Sequence, residues 1–262
     1  MLFVANAIGR LPGRVNKLRN RRKANLRVEF FRRTASIRGM FKRVLCSALA
    51  LGLVLAFTAA PTRAEEPANL TPHKEALVAY VNSGEYAKEV AAVALRADKY
   101  LAKRIARGAK PGKKLAVVFD IDETTLTNLS QMIANDYGYV PKVWDAWVAS
   151  GQARAIIPVQ TIYDTAVHGK VDVIFITSRP ESMRASTERN LRQVGYETWA
   201  QIYYKPETPA NLTNARYKSG IRRKLTQEGY VIIANIGDQD SDLAGGYAER
   251  SYKLPNPFYL MR

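Results

Sequence analysis

The chain has 262 residues, enough for one large domain or two small ones, and a net charge of +17. Residues 1–64 contain 14 Lys or Arg and a single acid, Glu29, which leaves a net charge of +4 for residues 65–262. This distribution argues against nucleic acid as the partner of the main domain.

Residues 40–64 have the three parts of a secretory signal peptide. Lys42 and Arg43 precede the apolar run VLCSALALGLVLAFTAA, and small residues precede the acidic EEPAN, so we predict cleavage after Ala64. Basic residues upstream of such a run stay in the cytoplasm, so we expect a periplasmic or secreted domain without stable membrane association. An uncleaved membrane anchor is the alternative. Cleavage would remove Cys46, the only cysteine, and would exclude disulfides and cysteine-based catalysis.

Residues 1–39 form a basic extension that fits no standard export signal. Met40 would serve as a start, so we interpret residues 1–39 as an over-extended gene start, with a genuine basic arm as the alternative.

The remaining chain, residues 65–262, predicts an α/β domain. Apolar residues spaced three and four apart predict two helices between Thr71 and Arg107, with a break near Ser83. Apolar runs that alternate with helical or loop segments then predict strands at 115–119, 171–176, 199–204, 230–236 and 252–255. Because the first four runs are apolar throughout, they indicate strands covered on both faces, in a Rossmann-like doubly wound parallel sheet.

Polar residues follow each of the first four predicted strands. Asp120 follows the first strand, Thr177 and Ser178 the second, Lys205 the third and Asp238 the fourth. In open parallel sheets the ligand crevice lies beyond the carboxyl ends of the strands. These side chains therefore predict one site.

Asp120, Asp122 and Glu123 lie within four positions of one another. Two carboxylates 4 Å apart repel by about 1 kcal/mol in water and by about 4 kcal/mol near a protein surface. The acids therefore predict a cation at this edge of the sheet.

The order of these polar residues carries a family resemblance. Asp120-x-Asp122-x-Thr124, a hydroxyl after a strand, a lysine and Gly237-Asp238-x-x-x-Asp242 resemble the haloacid dehalogenase (HAD) superfamily of phosphotransferases. DIDETTLTN and GYVIIANIGDQDSDL are similar to the branch of class B-type acid phosphatases, plant vegetative storage proteins and bacterial outer-membrane acid phosphatases. The resemblance runs from about residue 69 to the end and includes YVNSGEY, NLRQVGY and YKLPNP.

The resemblance implies roles in phosphoryl transfer. Asp120 would be the nucleophile that forms an aspartyl phosphate, and Asp122 would start protonated and donate its proton to the leaving alcohol. Thr177, with Ser178 as its rival, would hydrogen-bond the phosphoryl oxygens, and Arg179 would assist.

The resemblance also implies Mg²⁺ as the cofactor. Asp120, Asp238 and the backbone carbonyl of Asp122 would be ligands, and Asp242 would act through water or in the outer shell. An alternative for Asp242 is that it caps a helix. Carboxylate and carbonyl oxygens are the ligands that Mg²⁺ prefers.

Two lysines are candidates to stabilise the phosphate. Lys218, in YKS, lies twenty residues before Asp238 and matches the branch better. Lys205 ends a predicted strand and stays the second candidate.

Residues 128–156 predict a small cap inserted over the crevice. The segment contains Tyr137, Tyr139, Trp144 and Trp147, of which Tyr137, Trp144 and Trp147 are candidates to bind the leaving group. A local hydrophobic mini-core is the alternative.

Together, these features predict an exported, Mg²⁺-dependent acid phosphatase that acts on small phosphomonoesters, with a homo-oligomer left open. A catalytically weak storage or binding protein on the same fold is the alternative. His168 lacks the flanking arginines of histidine acid phosphatases, and KPGKKL lacks the hydroxyl residue of a P-loop. Export and Asp122 argue against a receiver domain.

Overall fold

The computed structural model describes residues 66–208 and 211–261. The basic extension and the signal peptide predicted for residues 1–64 lie outside the described residues. Within the described ranges, no helix is long and apolar enough to cross a membrane. Ala68–Arg262 form one compact unit.

The helices and strands alternate along this unit as the apolar runs predict. The helices are α1 Leu70–Asn82, α2 Glu85–Ile105, α3 Leu129–Ala134, α4 Pro141–Ser150, α5 Ile157–His168, α6 Arg184–Gln193 (after a 3₁₀ turn, Glu181–Met183), α7 Asn214–Gln227 and α8 Asp240–Leu243. The strands are β1 Lys114–Phe119, β2 Leu126–Thr127, β3 Arg154–Ala155, β4 Asp172–Pro180, β5 Gln201–Lys205, β6 Tyr230–Gly237 and β7 Ser251–Lys253. The break between α1 and α2 contains Gly84, whose φ of 78° favours glycine.

Five strands form one parallel sheet in the order β5-β4-β1-β6-β7. This order confirms the predicted doubly wound sheet. Phe119 pairs with Phe175 of β4 and with Ile236 of β6, so these three positions lie level across the centre of the sheet. The residues that follow these positions therefore meet at one edge.

Alternate residues of the central strand face two separate cores. Val117 and Phe119 of β1 belong to the larger core, which includes Leu101 of α2 and Ile162 of α5. Ala116 and Val118 belong to the smaller core, which includes Tyr217 and Leu225 of α7. The sheet is thus covered on both faces, which explains why its strands are apolar throughout.

The segment predicted to be a cap leaves and re-enters the domain through a two-stranded antiparallel sheet. Leu126 pairs with Ala155 and Thr127 with Arg154, and α3 and α4 lie between these strands. Strands of two residues have too little apolar pattern to be predicted from the sequence.

Candidate active site

Three buried carboxylates meet at the carboxyl edge of the sheet. Asp120 follows β1, Asp238 follows β6 and Asp242 lies in α8. One oxygen of each lies within 4.8 Å of one oxygen of the other two, and all three residues are buried. The sequence prediction of an acidic pocket at this edge agrees with this geometry.

Lys218 is the counter-ion of this cluster. It lies on α7, is 2% exposed, and its Nζ donates to Oδ1 of Asp120 and, at 2.6 Å, to Oδ1 of Asp242. Burial lowers the pKa of Lys218, but the charges of Asp120 and Asp242 outweigh burial and raise the pKa. Lys218 therefore stays protonated.

Lys205 lies elsewhere. Its Nζ donates to Oδ1 of Asn214, at the start of α7, at 2.7 Å. The structure thus brings Lys218, and not Lys205, into contact with the carboxylates.

Burial raises the pKa of Asp120 well above its usual range, and the negative charge of Asp242 adds to the rise, while Lys218 opposes it. Among the described residues, hydrogen-bond donors reach only Oδ1 of the Asp120 carboxyl group. Its Oδ2 is the oxygen left for a metal ion or for an incoming phosphorus atom.

Asp238 is held by three side-chain donors. Thr124 donates to its Oδ1 at 3.0 Å, and Gln239 and Asn256 donate to its Oδ2 at 2.7 Å each. Burial and the charge of Asp242 still raise the pKa of Asp238. The role of Thr124 is therefore to orient this carboxylate.

Asp242 has a structural role as well as a place in the pocket. Its Oδ2 accepts from the backbone N–H of Gln239 at 2.8 Å, in a capping box at the start of α8. A Cβ atom at Gly237 would lie 2.4 Å from Cβ of Asp242, so glycine permits this close approach. Both oxygens of Asp242 are thus engaged, one by Lys218 and one by the helix cap.

Arg222 supports the turn around Asp242 from beneath. This fully buried residue donates from Nη1 to the backbone oxygen of Asp242 at 2.5 Å and from Nε to that of Gly246 at 2.9 Å. Arg222 could not be predicted from the sequence, because one arginine on a helix of several basic residues carries no distinctive signal.

Asp122 pairs with Arg179. Nη2 of Arg179 lies 2.6 Å from Oδ1 of Asp122, and Nε lies 3.1 Å from Oδ2. Burial raises the pKa of Asp122, but the Arg179 charge and hydrogen bonds, with one from Asn128, outweigh burial and lower the pKa. The geometry therefore holds Asp122 ionised, whereas the role expected from the resemblance starts from the protonated acid.

Thr177 and Ser178 differ in burial. Thr177 is fully buried, and its Oγ1 accepts from the backbone N–H of Arg179 at 3.0 Å, which leaves its own hydroxyl proton free to donate. Ser178 is half-buried on the other side of β4. Thr177 is the first hydroxyl after the apolar run, two positions beyond Phe175, which pairs with Phe119 of β1.

A second hydrogen-bond network lies next to Asp122. Buried Glu123, in the left-handed region at φ 53°, accepts from the backbone N–H of Asn128 at 2.5 Å, from its Nδ2 at 3.1 Å, and from the Tyr259 hydroxyl at 2.9 Å. Burial and the charge of Asp122 raise the pKa of Glu123 to about 8. Asn128 also donates from Nδ2 to Asp122 at 2.9 Å, so it links both acids.

Residues 256–261 cover the Asp238 side of the pocket. Asn256 bonds Asp238, Tyr259 bonds Glu123, and the backbone N–H of Met261 donates to Gln239 at 3.0 Å. In the sequence YKLPNP supports only the resemblance, and no role was predicted for residues 256–261. Nothing local in the sequence shows that Tyr259 meets Glu123, 136 positions earlier.

The predicted leaving-group residues occupy three different environments. The ring of Tyr137 stacks on Phe258 with 6.1 Å between centroids and packs against the larger core. Nε1 of Trp147 donates to Oδ1 of Asn128 at 2.8 Å. The ring of Trp144 lies 5.6 Å from the guanidinium carbon of Arg179.

This arrangement suits chemistry on a dianionic group. At this edge of the sheet Asp120 keeps a free carboxylate oxygen, Lys218 contacts Asp120, Arg179 contacts Asp122, and Thr177 has a hydroxyl proton to donate. Such preorganised groups stabilise the charge that develops during phosphoryl transfer.

Comparison with known sequences agrees with this chemistry. The family model for the HAD superfamily, subfamily IIIB (acid phosphatase), matches residues 52–262. The chain is 34% identical to the stem 28 kDa glycoprotein of Glycine max over 194 residues, which cover 72% of this chain and 74% of the relative. It is 34% identical to acid phosphatase 1 of Solanum lycopersicum over 148 residues, 55% of this chain and 58% of the relative.

A storage protein and a solved structure are also similar to this chain. Vegetative storage protein 1 of Arabidopsis thaliana is 33% identical over 148 residues, which cover 55% of this chain and 54% of the relative. The class C acid phosphatase from Bacillus anthracis has the same fold, with a TM-score of 0.55, 24% sequence identity, and coverage of 71% of this chain and 86% of the other.

Proposed function

The chain belongs to the subfamily IIIB acid phosphatases of the HAD superfamily, which makes it a phosphomonoester hydrolase, and we propose that it is an exported, Mg²⁺-dependent enzyme acting through an aspartyl phosphate on Asp120. Both the family and the α/β fold expected from the motifs are confirmed. The metal, the intermediate, the export and the individual residue roles are our proposal.

One observation carries the proposal: three buried carboxylates meet beside a single buried lysine, which contacts two of them. When ionised, Asp120, Asp238 and Asp242 would bring three negative charges to a pocket in which Lys218 supplies one positive charge. Buried charges without partners are costly. A divalent cation would balance the remaining charge.

The donor set of the pocket fits Mg²⁺. Mg²⁺ takes oxygen ligands, usually one or two carboxylates together with waters and substrate phosphate. Asp120 and Asp238 would hold it directly, and Asp242, engaged by Lys218 and by the cap of α8, would act from the outer shell. When bound, Mg²⁺ would neutralise phosphate charge and polarise a phosphoryl oxygen.

The proposed first step uses the free oxygen of Asp120. Its Oδ2 would form a bond to phosphorus while the bond from phosphorus to the ester oxygen breaks, and Lys218 would favour the ionised form of Asp120 through Oδ1. Thr177 and Arg179 would donate to the phosphoryl oxygens.

Asp122 would then transfer the protons. It would protonate the departing alcohol and later take a proton from the water that attacks the aspartyl phosphate. Arg179 now holds Asp122 ionised with contacts as short as 2.6 Å. A bound phosphate would compete for this guanidinium group, and the loss of those contacts would raise the pKa of Asp122 toward that of a general acid.

We propose export because residues 40–64 have the pattern of a signal peptide. The proposal agrees with the names of two Glycine max relatives, which are both called stem glycoproteins. The natural location would be periplasmic or secreted. The substrate would be a small phosphomonoester.

The test uses the chain that begins at residue 65, which contains the compact unit Ala68–Arg262. We expect hydrolysis of p-nitrophenyl phosphate at acid pH, loss of at least 90% of it after EDTA dialysis, and recovery with Mg²⁺. Mg²⁺ should also raise the melting temperature of the wild type but not of Asp238→Asn. Full activity after EDTA dialysis would contradict the metal dependence.

The intermediate has its own test. Acid quenching during turnover should leave a hydroxylamine-labile phosphoryl group on the peptide that contains Asp120. A protein that binds Mg²⁺ but hydrolyses no phosphomonoester would instead support the storage alternative, which the Arabidopsis thaliana relative represents by its name.

A further inference from the structure

A basic groove lies between α2 and the edge strand β7, away from the acidic pocket. Its volume is about 860 Å³, and none of its lining residues belongs to the pocket around Asp120. Seven of the eleven lining residues are cationic: Arg104, which pairs with Glu249, and Arg96, Lys99, Lys103, Arg107, Arg250 and Lys253.

The groove concentrates the positive charge of the domain. Residues 65–262 have a net charge of +4, whereas the seven cations and Glu249 together contribute +6. The rest of the domain is therefore slightly acidic. A net charge for the whole domain conceals this local excess.

Most of these cations have no acidic partner. Within residues 66–208 and 211–261, ion pairs of the groove involve only Arg104, whose Nε lies 2.7 Å from Glu249. Cations on a protein surface normally occur among acids. Six cations without such pairs, along one groove, indicate an anionic ligand.

The α2 cations form a row. Arg96, Lys99 and Lys103 are spaced three or four positions apart, so they share one face of α2 over about 10 Å, and Arg107 follows in the turn after the helix ends. A charged residue on an edge strand can serve merely to block pairing with another sheet. That explanation covers Lys253 on β7 but not the row on α2.

Two aromatic rings accompany the cations. Tyr100 and Tyr252 line the groove with 6.2 Å between their ring centroids, and the guanidinium carbon of Arg250 lies 4.4 Å from the Tyr100 centroid. Basic grooves that contain aromatic rings bind single-stranded nucleic acids through phosphates and base stacking.

We propose that this groove is a binding site for a single-stranded oligonucleotide, separate from the phosphomonoesterase site. The row of cations contacts successive phosphates, and the two tyrosines lie where bases can stack. The sequence prediction against nucleic acid used the net charge of the whole domain. The cations of this groove are concentrated on one face, which that net charge does not show.

The lining of the groove favours a nucleic acid over a membrane surface. Membrane-binding surfaces combine basic residues with large exposed apolar side chains that enter the lipid. The only aliphatic lining residue is Val93, which is packed against the core. A concave groove also fits a linear chain better than a flat bilayer.

The experiment measures binding of a fluorescein-labelled oligothymidylate without terminal phosphomonoester, so that the phosphatase site has nothing to hydrolyse. The protein is the chain from residue 65, which lacks the basic leader but contains the compact unit. Fluorescence anisotropy is recorded from 50 to 200 mM salt. If all six unpaired cations contact phosphates, log K should fall against log salt with a slope of about −4.

The paired variants separate the groove from net charge. Lys99→Glu/Lys103→Glu should weaken binding at least tenfold and reduce the steepness of the slope by about 1.4. The control Arg216→Glu/Arg223→Glu makes the same charge change at exposed positions of α7, on the opposite face of the sheet, and should change binding less than threefold. Both variants should hydrolyse p-nitrophenyl phosphate as the wild type does, which confirms folding.

Three outcomes would overturn the assignment. The first is equal loss of binding in both double variants, which would show a general charge effect. The second is no binding by the wild type at 50 mM salt. The third is tighter binding of inorganic polyphosphate of equal phosphate number, or of anionic vesicles, than of the oligonucleotide.

Discussion

The carboxyl edge of the sheet and the insertion at residues 128–156 hold their side chains very differently. At the edge, Asp120, Lys218 and Asp238 are each at most 6% exposed and bonded to named partners. In the insertion, Tyr139 is 73% exposed, and the ring of Trp144 lies against the guanidinium group of Arg179. We propose that the fixed region acts on the phosphoryl group and that the looser region meets different leaving groups.

This difference has a chemical reason. Every phosphomonoester presents the same phosphoryl group, and groups fixed in advance stabilise its transition state without reorganisation. Leaving alcohols differ in shape, so their contacts belong on a segment whose side chains can adjust. The following variants test whether that division is real.

The largest effect should come from Asp120→Asn. The change removes the nucleophilic carboxylate with little change in shape, so turnover of p-nitrophenyl phosphate should fall at least about 1,000-fold. Asp240→Asn, at an exposed position in the next acidic segment, is the matched control and should stay close to wild type. Residual activity above about 1% in Asp120→Asn would show that another group attacks phosphorus.

The second effect compares the two lysines. Lys218→Met leaves Asp120 and Asp242 without their counter-ion, so activity should fall by about 100-fold or more, and the free energy of unfolding by about 3–5 kcal/mol. Lys205→Met removes one bond to Asn214 and should cost less than about 10-fold in activity. Steady-state kinetics and denaturant unfolding measure both. The reverse ranking of activities would transfer the phosphate role to Lys205.

The third effect concerns leaving-group preference. If the ring of Trp144 stacks on flat leaving groups, Trp144→Ala should reduce kcat/KM for aryl and nucleoside phosphates by about 5- to 150-fold relative to glycerol phosphate. Tyr139→Ala, on the same insertion but more exposed, is the control. An equal loss for all esters would show that Trp144 only holds Arg179 or the insertion in place.

The smallest effect should come from Trp147→Phe, which keeps a ring but removes the N–H that bonds Asn128 at 2.8 Å. Because Asn128 holds Asp122 and Glu123, we expect a loss of about 2- to 13-fold that is the same for every phosphomonoester. A loss confined to aryl esters would instead make Trp147 a leaving-group contact and would weaken the division between the two regions.

The strands and their common edge could be predicted because both depend on local patterns. Runs such as 115–119 are apolar throughout, and parallel strands deliver whatever follows them to one edge. Lys218 could be found only through the resemblance, since a position on α7 does not reveal that its side chain reaches β1. The partners of Glu123 could not be predicted, because Tyr259 lies 136 positions away.

Two expectations depended on charges that no local pattern reveals. The protonated state expected of Asp122 came from the proposed reaction, but the contact with Arg179, 57 positions later, sets its ionisation. The basic groove was missed because a total charge of +4 averages a cationic face with an acidic remainder. Both cases require knowledge of which helix and strand faces meet.

The long sequence separation within the pocket also affects when activity can begin. Lys218 meets Asp120 across 98 positions, and Tyr259 meets Glu123 across 136. Contacts so distant in sequence form late, because each requires closure of a long loop before it gains any binding energy. A nascent chain that ends before residue 259 lacks part of the pocket. The exported enzyme that we propose would therefore be inactive as an unfolded precursor. It would not hydrolyse phosphate esters in the compartment in which it is synthesised.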